Sequence, residues 1–203
     1  MNKFIVIAMY TPGTPYEKER ERLIKSLDKI NVRRHLYQIP NLGNWAKNGQ
    51  QNAVVILKAM EEHKDCNIVF VDADAEIKEY PILFDDYKYD MAIYPLCYNE
   101  ERNTHSKENV LKYLTGTMFW RNCDKCKELL NEWVEMNNSN TLIDEINIKT
   151  LLQSQKWQTF NWTELPIEYC YIENHYKFEG VENPVICHYQ AGERFAHIIN
   201  GAI

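Results

Sequence analysis

Short, continuous runs of apolar residues alternate along this chain with segments in which apolar residues recur at helical spacing. The clearest runs are FIVIAMY at residues 4–10 and NIVFV at residues 67–71, which show no alternation of apolar and polar residues. Leu23, Leu27 and Ile30 follow the first run at helical spacing, behind a charged first turn. Because strands that are buried on both faces need helices on both sides, this alternation predicts an α/β fold with a mostly parallel central sheet.

The same patterns predict the remaining elements. We expect further strands at 34–39, 90–95, 113–121, 157–160 and 184–189, the last of which closes the chain. We expect helices at 49–63, from Cys126 to Met136, and from Asp144 to Gln155, whereas residues 40–48 read as a loop.

Composition indicates the class of protein and argues against one broad function. The 203 residues are 45% hydrophobic and 26% charged, which is typical of one soluble globular domain with a core of its own. The net charge of −6 argues against general binding to nucleic-acid backbones, because such binding needs a basic face.

No segment of the sequence has the features of a membrane span or a signal peptide. The first residues, MNKFIVIAMY, form an apolar run that is too short for a span and lacks a cleavage site. We therefore expect a cytoplasmic protein whose six cysteines are reduced. Cys123 and Cys126 form a CxxC without a second pair, so a structural zinc site is not indicated. The two cysteines are either small core residues or have a redox role.

Asp72 and Asp74 stand one residue apart directly after the run at 67–71, in the stretch VFVDADAEI. Ligands of open α/β sheets bind beyond the carboxyl ends of the strands, and residues i and i+2 of an extended segment point the same way. Both carboxylates should therefore face one point, where Mg²⁺ or Mn²⁺ would relieve their repulsion and the phosphates of a nucleotide would supply further ligands. The alternative is that Asp72 caps a turn and Asp74 is solvated.

Several blocks around this motif resemble one family. The block at 41–86, NLGNWAKNGQQNAVVILKAMEEHKDCNIVFVDADAEIKEYPILFDD, resembles the core of the nucleotide-diphospho-sugar transferases, which are glycosyltransferases of the GT-A fold. It is similar in particular to small members with a Gly-x-Trp-x-x-Asn loop, a helix and a strand that ends in Asp-Ala-Asp. The blocks YLTGTMFWRN, DEINIKTLL, LPIEYCYI and PVICHYQAGERF follow in the family's order, so the resemblance covers residues 42–195.

The resemblance implies a fold and a metal site. The fold would be a single-domain, Rossmann-like three-layer sandwich, in which residues 1–120 hold the nucleotide and metal and residues 121–203 hold the sugar and acceptor. Asp72, Asp74 and His188 would bind Mn²⁺ or Mg²⁺, and Asp72 would also contact the ribose or a metal-bound water. Imidazole suits Mn²⁺ better than Mg²⁺. The alternative for His188 is a core histidine on a strand.

The resemblance also implies contacts to the nucleotide. Tyr10 and Thr11 end the first strand, where GT-A enzymes hold the base. Trp45 and Asn48 match the loop that closes over the donor. Tyr10 and Trp45 could equally be core aromatic residues.

Five later residues match positions near the sugar and the diphosphate. Gly116 and Thr117 match the segment that lines the sugar pocket, where a glycine permits close approach of the backbone. Asp144 and Glu145 match the catalytic pair near the reacting carbon, although acids at a helix N-terminus are also favoured by the helix dipole. Arg194 would pair with the leaving diphosphate.

The sequence departs from the family pattern at three places. Glu145 replaces a glutamine, Asn52 stands where the family often has a lysine, and residues 191–194 replace a Ser-Arg-Arg-like segment. These changes affect the expected contacts to the donor sugar and the diphosphate, and they leave the metal site intact.

The resemblance implies a metal-dependent transfer of a sugar from a nucleotide-diphosphate sugar, with a UDP-sugar expected, to an acceptor hydroxyl. The acceptor class stays open among a glycan, a protein, a lipid-linked molecule and a modified nucleobase, and retention is favoured because no dedicated base is evident. Two alternatives are a nucleotidyltransferase and a non-catalytic module that binds a nucleotide sugar. The segment TPGTPYEKER is a poor match to the Gly-rich loop of a nucleotidyltransferase. The polar segment at 97–109 is either an acceptor-facing loop or an ordinary surface loop.

Overall fold

A computed structural model describes residues 3–97 and 110–201 of the chain. Its strands are β1 (Phe4–Tyr10), β2 (Arg34–Gln38), β3 (Asn67–Val71), β4 (Ala75–Ile77), β5 (Met91–Cys97), β6 (Val110–Trp120), β7 (Trp162–Glu164), β8 (Tyr171–Ile172) and β9 (Ile186–His188). Its helices are α1 (Tyr16–Lys29), α2 (Trp45–Gly49), α3 (Asn52–Glu62), α4 (Asp124–Ser139), α5 (Asp144–Gln153) and α6 (Ala191–Asn200). Most of the expected acceptor-facing segment, residues 98–109, lies outside the described residues, so that expectation stays a prediction.

The central sheet has the strand order β2-β1-β3-β6-β5-β7. The pairs β1–β2, β1–β3 and β5–β7 are parallel, whereas β6 is antiparallel to both of its neighbours, β3 and β5. Every strand of this sheet except β6 therefore runs in one direction, and the mostly parallel α/β sheet expected from the alternating sequence pattern is confirmed.

Two apolar layers cover the sheet, one on each face. Phe4 and Val6 of β1 pack with Leu23 of α1 in one cluster, while Ile5 of the same strand packs with Trp133 of α4 in another. Successive side chains of a strand point to opposite faces, so a continuous apolar run such as FIVIAMY supplies both layers. The expected three-layer arrangement follows from this burial on both faces.

A second, smaller sheet lies beside the carboxyl end of β3. Its order is β4-β9-β8, with β4 antiparallel and β8 parallel to β9. The sequence indicated only its central strand β9, within the strand expected at 184–189, because strands of two or three residues leave no readable period. It determines where His188 lies, since His188 pairs with Ala75.

Two sequence expectations about local structure are wrong. Residues 40–48 were expected to be a loop, yet α2 begins at Trp45, where the Asn44 side chain accepts a hydrogen bond from Lys47 N in the manner of an N-cap. The segment 157–160 was expected to be a strand, but a 3₁₀ turn ends at Trp157 and β7 begins at Trp162. Trp157 and Phe160 are both buried with their ring centroids 5.6 Å apart, so their apolar character reflects core packing rather than a strand.

The C-terminal strand does not close the chain, because α6 follows β9. Gln190 has the left-handed backbone conformation, with φ of 52°, and this turn leads into the helix. Among the described residues, no helix combines the length and the apolar character that a crossing of a bilayer requires.

Candidate functional site

Asp72, Asp74 and His188 come together beyond the carboxyl end of β3, where each offers a ligand atom within 4.8 Å of the others. The two aspartates were expected to lie on an extended segment, but they lie in a turn. Ala75 N donates to Asp72 O over 3.0 Å, which closes a turn and sends the chain into β4. Ala75 then pairs with His188 of β9, so the turn and the small sheet together bring the three side chains to one point.

Asp74 and His188 each present an unpaired polar atom to the other. Asp74 Oδ2 accepts a hydrogen bond from Ala191 N over 2.6 Å, whereas Asp74 Oδ1 lies 3.6 Å from His188 Nδ1. That separation is too long for a hydrogen bond, and neither buried atom has a hydrogen-bond partner among the described residues. Because a buried polar atom without a partner costs about 1–3 kcal/mol, the pair indicates a place for a group that interacts with both atoms.

Gly116 and Thr117 lie directly against this group, and the expectation that they also line the sugar pocket stays a prediction. The Thr117 hydroxyl shares a hydrogen bond of 2.8 Å with His188 Nε2, which leaves Nδ1 directed at Asp74. A Cβ on Gly116 would lie 3.1 Å from Asp72 Oδ2 and 3.2 Å from His188 Cε1. The absence of a side chain at Gly116 therefore permits the close approach of Asp72 and His188.

The two aspartates have opposite pKa shifts. Burial and the neighbouring Asp74 carboxylate raise the pKa of Asp72 to about 7, against the opposing influence of His188. Burial also opposes ionisation of Asp74, but the His188 imidazole and Ala191 N hold the pKa of that carboxyl below its usual value. A cation between the carboxylates would remove the repulsion that raises the pKa of Asp72.

The donor set fits a divalent cation such as Mn²⁺ or Mg²⁺. It consists of two carboxylates and one imidazole nitrogen, and the unpaired atoms Asp74 Oδ1 and His188 Nδ1 face each other. Thr117 holds the second ring nitrogen of His188, as groups behind a metal-binding histidine commonly do. Mixed oxygen and nitrogen ligation suits Mn²⁺ better than Mg²⁺.

A cleft opens beside this group. It is lined by Met9, Tyr10, Thr11, Tyr16, Ile39, Trp45, Asn48, Gly49, Asn52, Asp72, Ala73, Asp74, Thr115, Asp144, Glu145 and Gly192. The lining residues come from the ends of β1 and β2, from the turn after β3, from β6 and α2, and from the starts of α1, α3, α5 and α6. The cleft therefore lies at the carboxyl edge of the parallel strands, where ligands of α/β sheets bind.

Asp144 and Glu145 both line the cleft, and each already has a partner. Asn52 Nδ2 donates to Asp144 Oδ2 over 2.8 Å, while Lys112 Nζ lies 2.6 Å from Glu145 Oε2. Burial raises the pKa of Asp144 despite its hydrogen bonds to Thr115 and Asn52. Burial also raises the pKa of Glu145, to about 7, although Lys112 opposes the shift.

Tyr10 and Thr11 also line the cleft, with different contacts. Tyr10 is 6% exposed and its hydroxyl accepts hydrogen bonds from Arg20 Nη1 and Gln38 Nε2, so the buried ring contributes to both the core and the wall. Thr11 is buried and accepts a hydrogen bond through its carbonyl oxygen from the Thr14 hydroxyl, over 2.7 Å.

Asn48 holds the backbone of the loop that precedes α2, and Trp45 forms part of the rim of the cleft. Asn48 Oδ1 accepts from Leu42 N over 2.9 Å, so the buried amide organises the backbone. Trp45 is 38% exposed and its Nε1 lies 3.3 Å from Tyr16 Oη. Its indole leaves no room for a Cβ on Gly192, which would lie 2.8 Å from Trp45 Cζ2.

Arg194 is not among the residues that line the cleft. Its Nη2 donates to Glu19 Oε1 over 2.8 Å and its Nε donates to Tyr189 O over 3.1 Å. Any contact from Arg194 to a diphosphate would require the ion pair with Glu19 to open.

Asn52, Thr115 and Tyr16 lie in the cleft although the sequence did not assign them as site residues. Asn52 is the most informative, since its Oδ1 is buried without a partner among the described residues while its Nδ2 binds Asp144. The signal available in the sequence was the replacement of the family's lysine by Asn52, a short amide opposite the acid at Asp144.

Comparisons with known proteins give matches in structure only. No protein-family model matches the sequence, and no curated protein is significantly similar to it. A glycosyltransferase involved in the glycosylation of the major capsid of PBCV-1 superposes with a TM-score of 0.68 at 12% identity, over 96% of this chain and 98% of that one. GlyE, a glycosyltransferase of Streptococcus pneumoniae TIGR4, superposes with a TM-score of 0.56 at 12% identity and, in its apo form, with a TM-score of 0.60 at 13% identity.

The chain covers 55% and 54% of the length of the two GlyE structures, so it spans about half of that protein. Because these identities are low, the comparisons show the fold: the chain has the α/β fold of these glycosyltransferases over almost its whole length. The fold expected from the sequence is thereby confirmed.

Proposed function

We propose that this protein is a metal-dependent glycosyltransferase that moves a sugar from a nucleotide-diphosphate sugar, with a UDP-sugar as the expected donor, to an acceptor hydroxyl. One observation carries the proposal. Asp74 Oδ1 and His188 Nδ1 face each other unpaired beside Asp72, at the carboxyl edge of a glycosyltransferase fold. That arrangement supports a cation and a bound diphosphate, since both complete the ligands that the protein leaves open.

The bound cation would neutralise the charge of the leaving diphosphate. The protein's own residues position the rest of the donor. Tyr10 and Thr11 form the wall expected for the base, while Asn52 and Thr115 hold Asp144 deep in the cleft. Asp144 and the free Asn52 Oδ1 provide acceptors for sugar hydroxyls, so these two groups would orient the donor.

We infer retention from the engagement of the acids. An inverting reaction needs a carboxylate base that is free to take the proton of the acceptor hydroxyl. Among the described residues that line the cleft, Asp72 and Asp74 belong to the metal group, Asp144 is held by Asn52, and Glu145 is paired with Lys112.

We also propose a cytoplasmic location, which stays a prediction from the sequence.

The test is release of nucleoside diphosphate from a panel of nucleotide sugars in the presence of Mn²⁺, with calorimetric binding of UDP as a second readout. Asp74→Asn should abolish Mn²⁺-dependent binding and turnover while the circular dichroism spectrum stays unchanged. Asp28→Asn is a matched control, because that carboxylate is exposed and pairs with Arg34 on the surface.

Absence of metal-dependent binding or release with every donor would refute the proposal. Binding of donor without release of nucleoside diphosphate, with or without an acceptor panel, would support the non-catalytic module instead. Release of pyrophosphate from a nucleoside triphosphate and a sugar phosphate would indicate a nucleotidyltransferase.

A further inference from the structure

A second group of side chains that can bind a metal lies at the opposite end of α3 from the cleft. His35 of β2 meets Glu62, the last residue of α3, and His63, which follows it, with one ligand atom from each within 4.8 Å of the others. Helix α3 begins at Asn52 in the wall of the cleft, so Glu62 lies ten residues along the helix, or about 15 Å away. None of the three residues lines the cleft.

The two imidazoles direct ring nitrogens at each other. His35 Nδ1 and His63 Nε2 are 2.9 Å apart, and Glu62 Oε2 lies 3.8 Å from His35 Nδ1. A tetrahedral ion with bonds of about 2.0–2.1 Å separates its ligand atoms by roughly 3.4 Å, so the observed distances bracket that value. A small increase in the distance between His35 Nδ1 and His63 Nε2 would let an ion bind both nitrogens in place of the proton that they share.

The surrounding residues hold these ligands in place. The Tyr37 hydroxyl donates to Glu62 Oε2 over 2.8 Å, and the Tyr37 ring stacks on His35 with the centroids 4.1 Å apart. Such contacts orient ligands behind metal sites. They also place His35, on the edge strand β2, in fixed relation to the end of α3.

Besides the contact between the two imidazoles, the contact of Arg33 with His63 must change for a metal to bind. Arg33 Nη2 lies 3.4 Å from His63 Nδ1, and because arginine only donates, His63 Nε2 carries the proton in this arrangement. Binding through Nε2 moves that proton to Nδ1 and releases Arg33 from His63. Arg33 keeps its ion pair with Asp65 at 2.7 Å, and its side chain is 43% exposed, so the movement is local.

We propose that His35, Glu62 and His63 form a second metal site for a transition ion of the Zn²⁺ type, which clamps the edge strand β2 to the end of α3. Two imidazoles and one carboxylate favour Zn²⁺ and its neighbours over Mg²⁺ or Ca²⁺, and water completes the coordination. The site is distinct from the cleft in place and in donor set, so it does not depend on the proposed glycosyl transfer.

The experiment uses the full chain carrying Asp74→Asn, which removes a ligand of the cleft. Co²⁺ titration should show visible absorption that saturates at one equivalent, and Zn²⁺ should displace it. A hundred-fold excess of Zn²⁺ over its Kd should raise the midpoint of thermal unfolding by about 5–10 °C.

His35→Gln and His63→Gln should each abolish both effects, whereas Tyr37→Phe should weaken binding about tenfold. His197→Gln is the matched control, because that histidine is exposed on α6, and it should leave both effects unchanged. Melting without metal shows that each variant folds. Equal Co²⁺ binding in the folded His35 and His63 variants, or no binding in the chain carrying Asp74→Asn alone, would overturn the proposal.

Discussion

Replacement of Thr117 by valine tests how the cleft histidine is oriented. The substitution keeps the shape of the buried side chain and removes the hydroxyl that shares a hydrogen bond of 2.8 Å with His188 Nε2. The ring nitrogen then lacks a partner in a buried environment, which should lower the free energy of unfolding by about 1–3 kcal/mol. Urea denaturation measures this loss.

The same change should weaken Mn²⁺ binding. Loss of a group that orients a metal-binding histidine typically costs 10- to 100-fold in affinity, or about 1.4–2.8 kcal/mol. Calorimetric titration of Mn²⁺ into Thr117→Val and into the unchanged protein measures the ratio. Thr150→Val is the matched control, because its exposed hydroxyl also donates one hydrogen bond, to Ile146 O at 3.0 Å.

The control variant should change stability by no more than about 0.5 kcal/mol and leave Mn²⁺ affinity unchanged. If Thr117→Val binds Mn²⁺ as tightly as the unchanged protein, Thr117 does not orient a metal ligand, whatever happens to stability. The reasoning that assigns His188 Nδ1 to the metal would then be wrong.

Three further changes test the surroundings of the site. Gly116→Ala should reduce the rate of nucleoside diphosphate release roughly tenfold with little change in fold, because its Cβ would lie 3.1 Å from Asp72 Oδ2; an unchanged rate would contradict this. Asn52→Ala should lower the free energy of unfolding by about 1–3 kcal/mol in urea, since Asp144 loses its buried donor. Burial raises the pKa of Glu145 from 4.5 to about 7, so the folded state binds more protons than the unfolded chain between those pH values. The free energy of unfolding should therefore fall by up to about 3 kcal/mol as the pH rises from 4.5 to about 7. Glu145→Gln should remove that decrease, and parallel pH profiles for the two proteins would count against the assignment.

Local sequence patterns were sufficient to predict most of the fold. The runs at 4–10 and 67–71 are buried on both faces of the sheet, so their continuous apolar character predicted parallel strands between helices. The helices α1, α4 and α5 were indicated by spacing alone. Elements without a readable period were missed, among them β4, β8 and α6.

The metal-binding candidates were predicted in part by the motif and in part by the resemblance to a family. Asp72 and Asp74 follow a buried strand, and position after such a strand is a local property of the chain. His188 is more than a hundred residues away, and only the pairing of Ala75 with His188 brings it to the aspartates.

The tertiary structure alone decided what each side chain faces. Arg194 is turned to Glu19 rather than to the cleft, Thr117 supports His188, and His35 meets His63 across the gap between β2 and α3. The sequence by itself determined the main alternation of strands and helices and the placement of two acids after a strand, because those depend on local apolar pattern. The contacts between distant residues depend on strand register and packing, which no local pattern encodes.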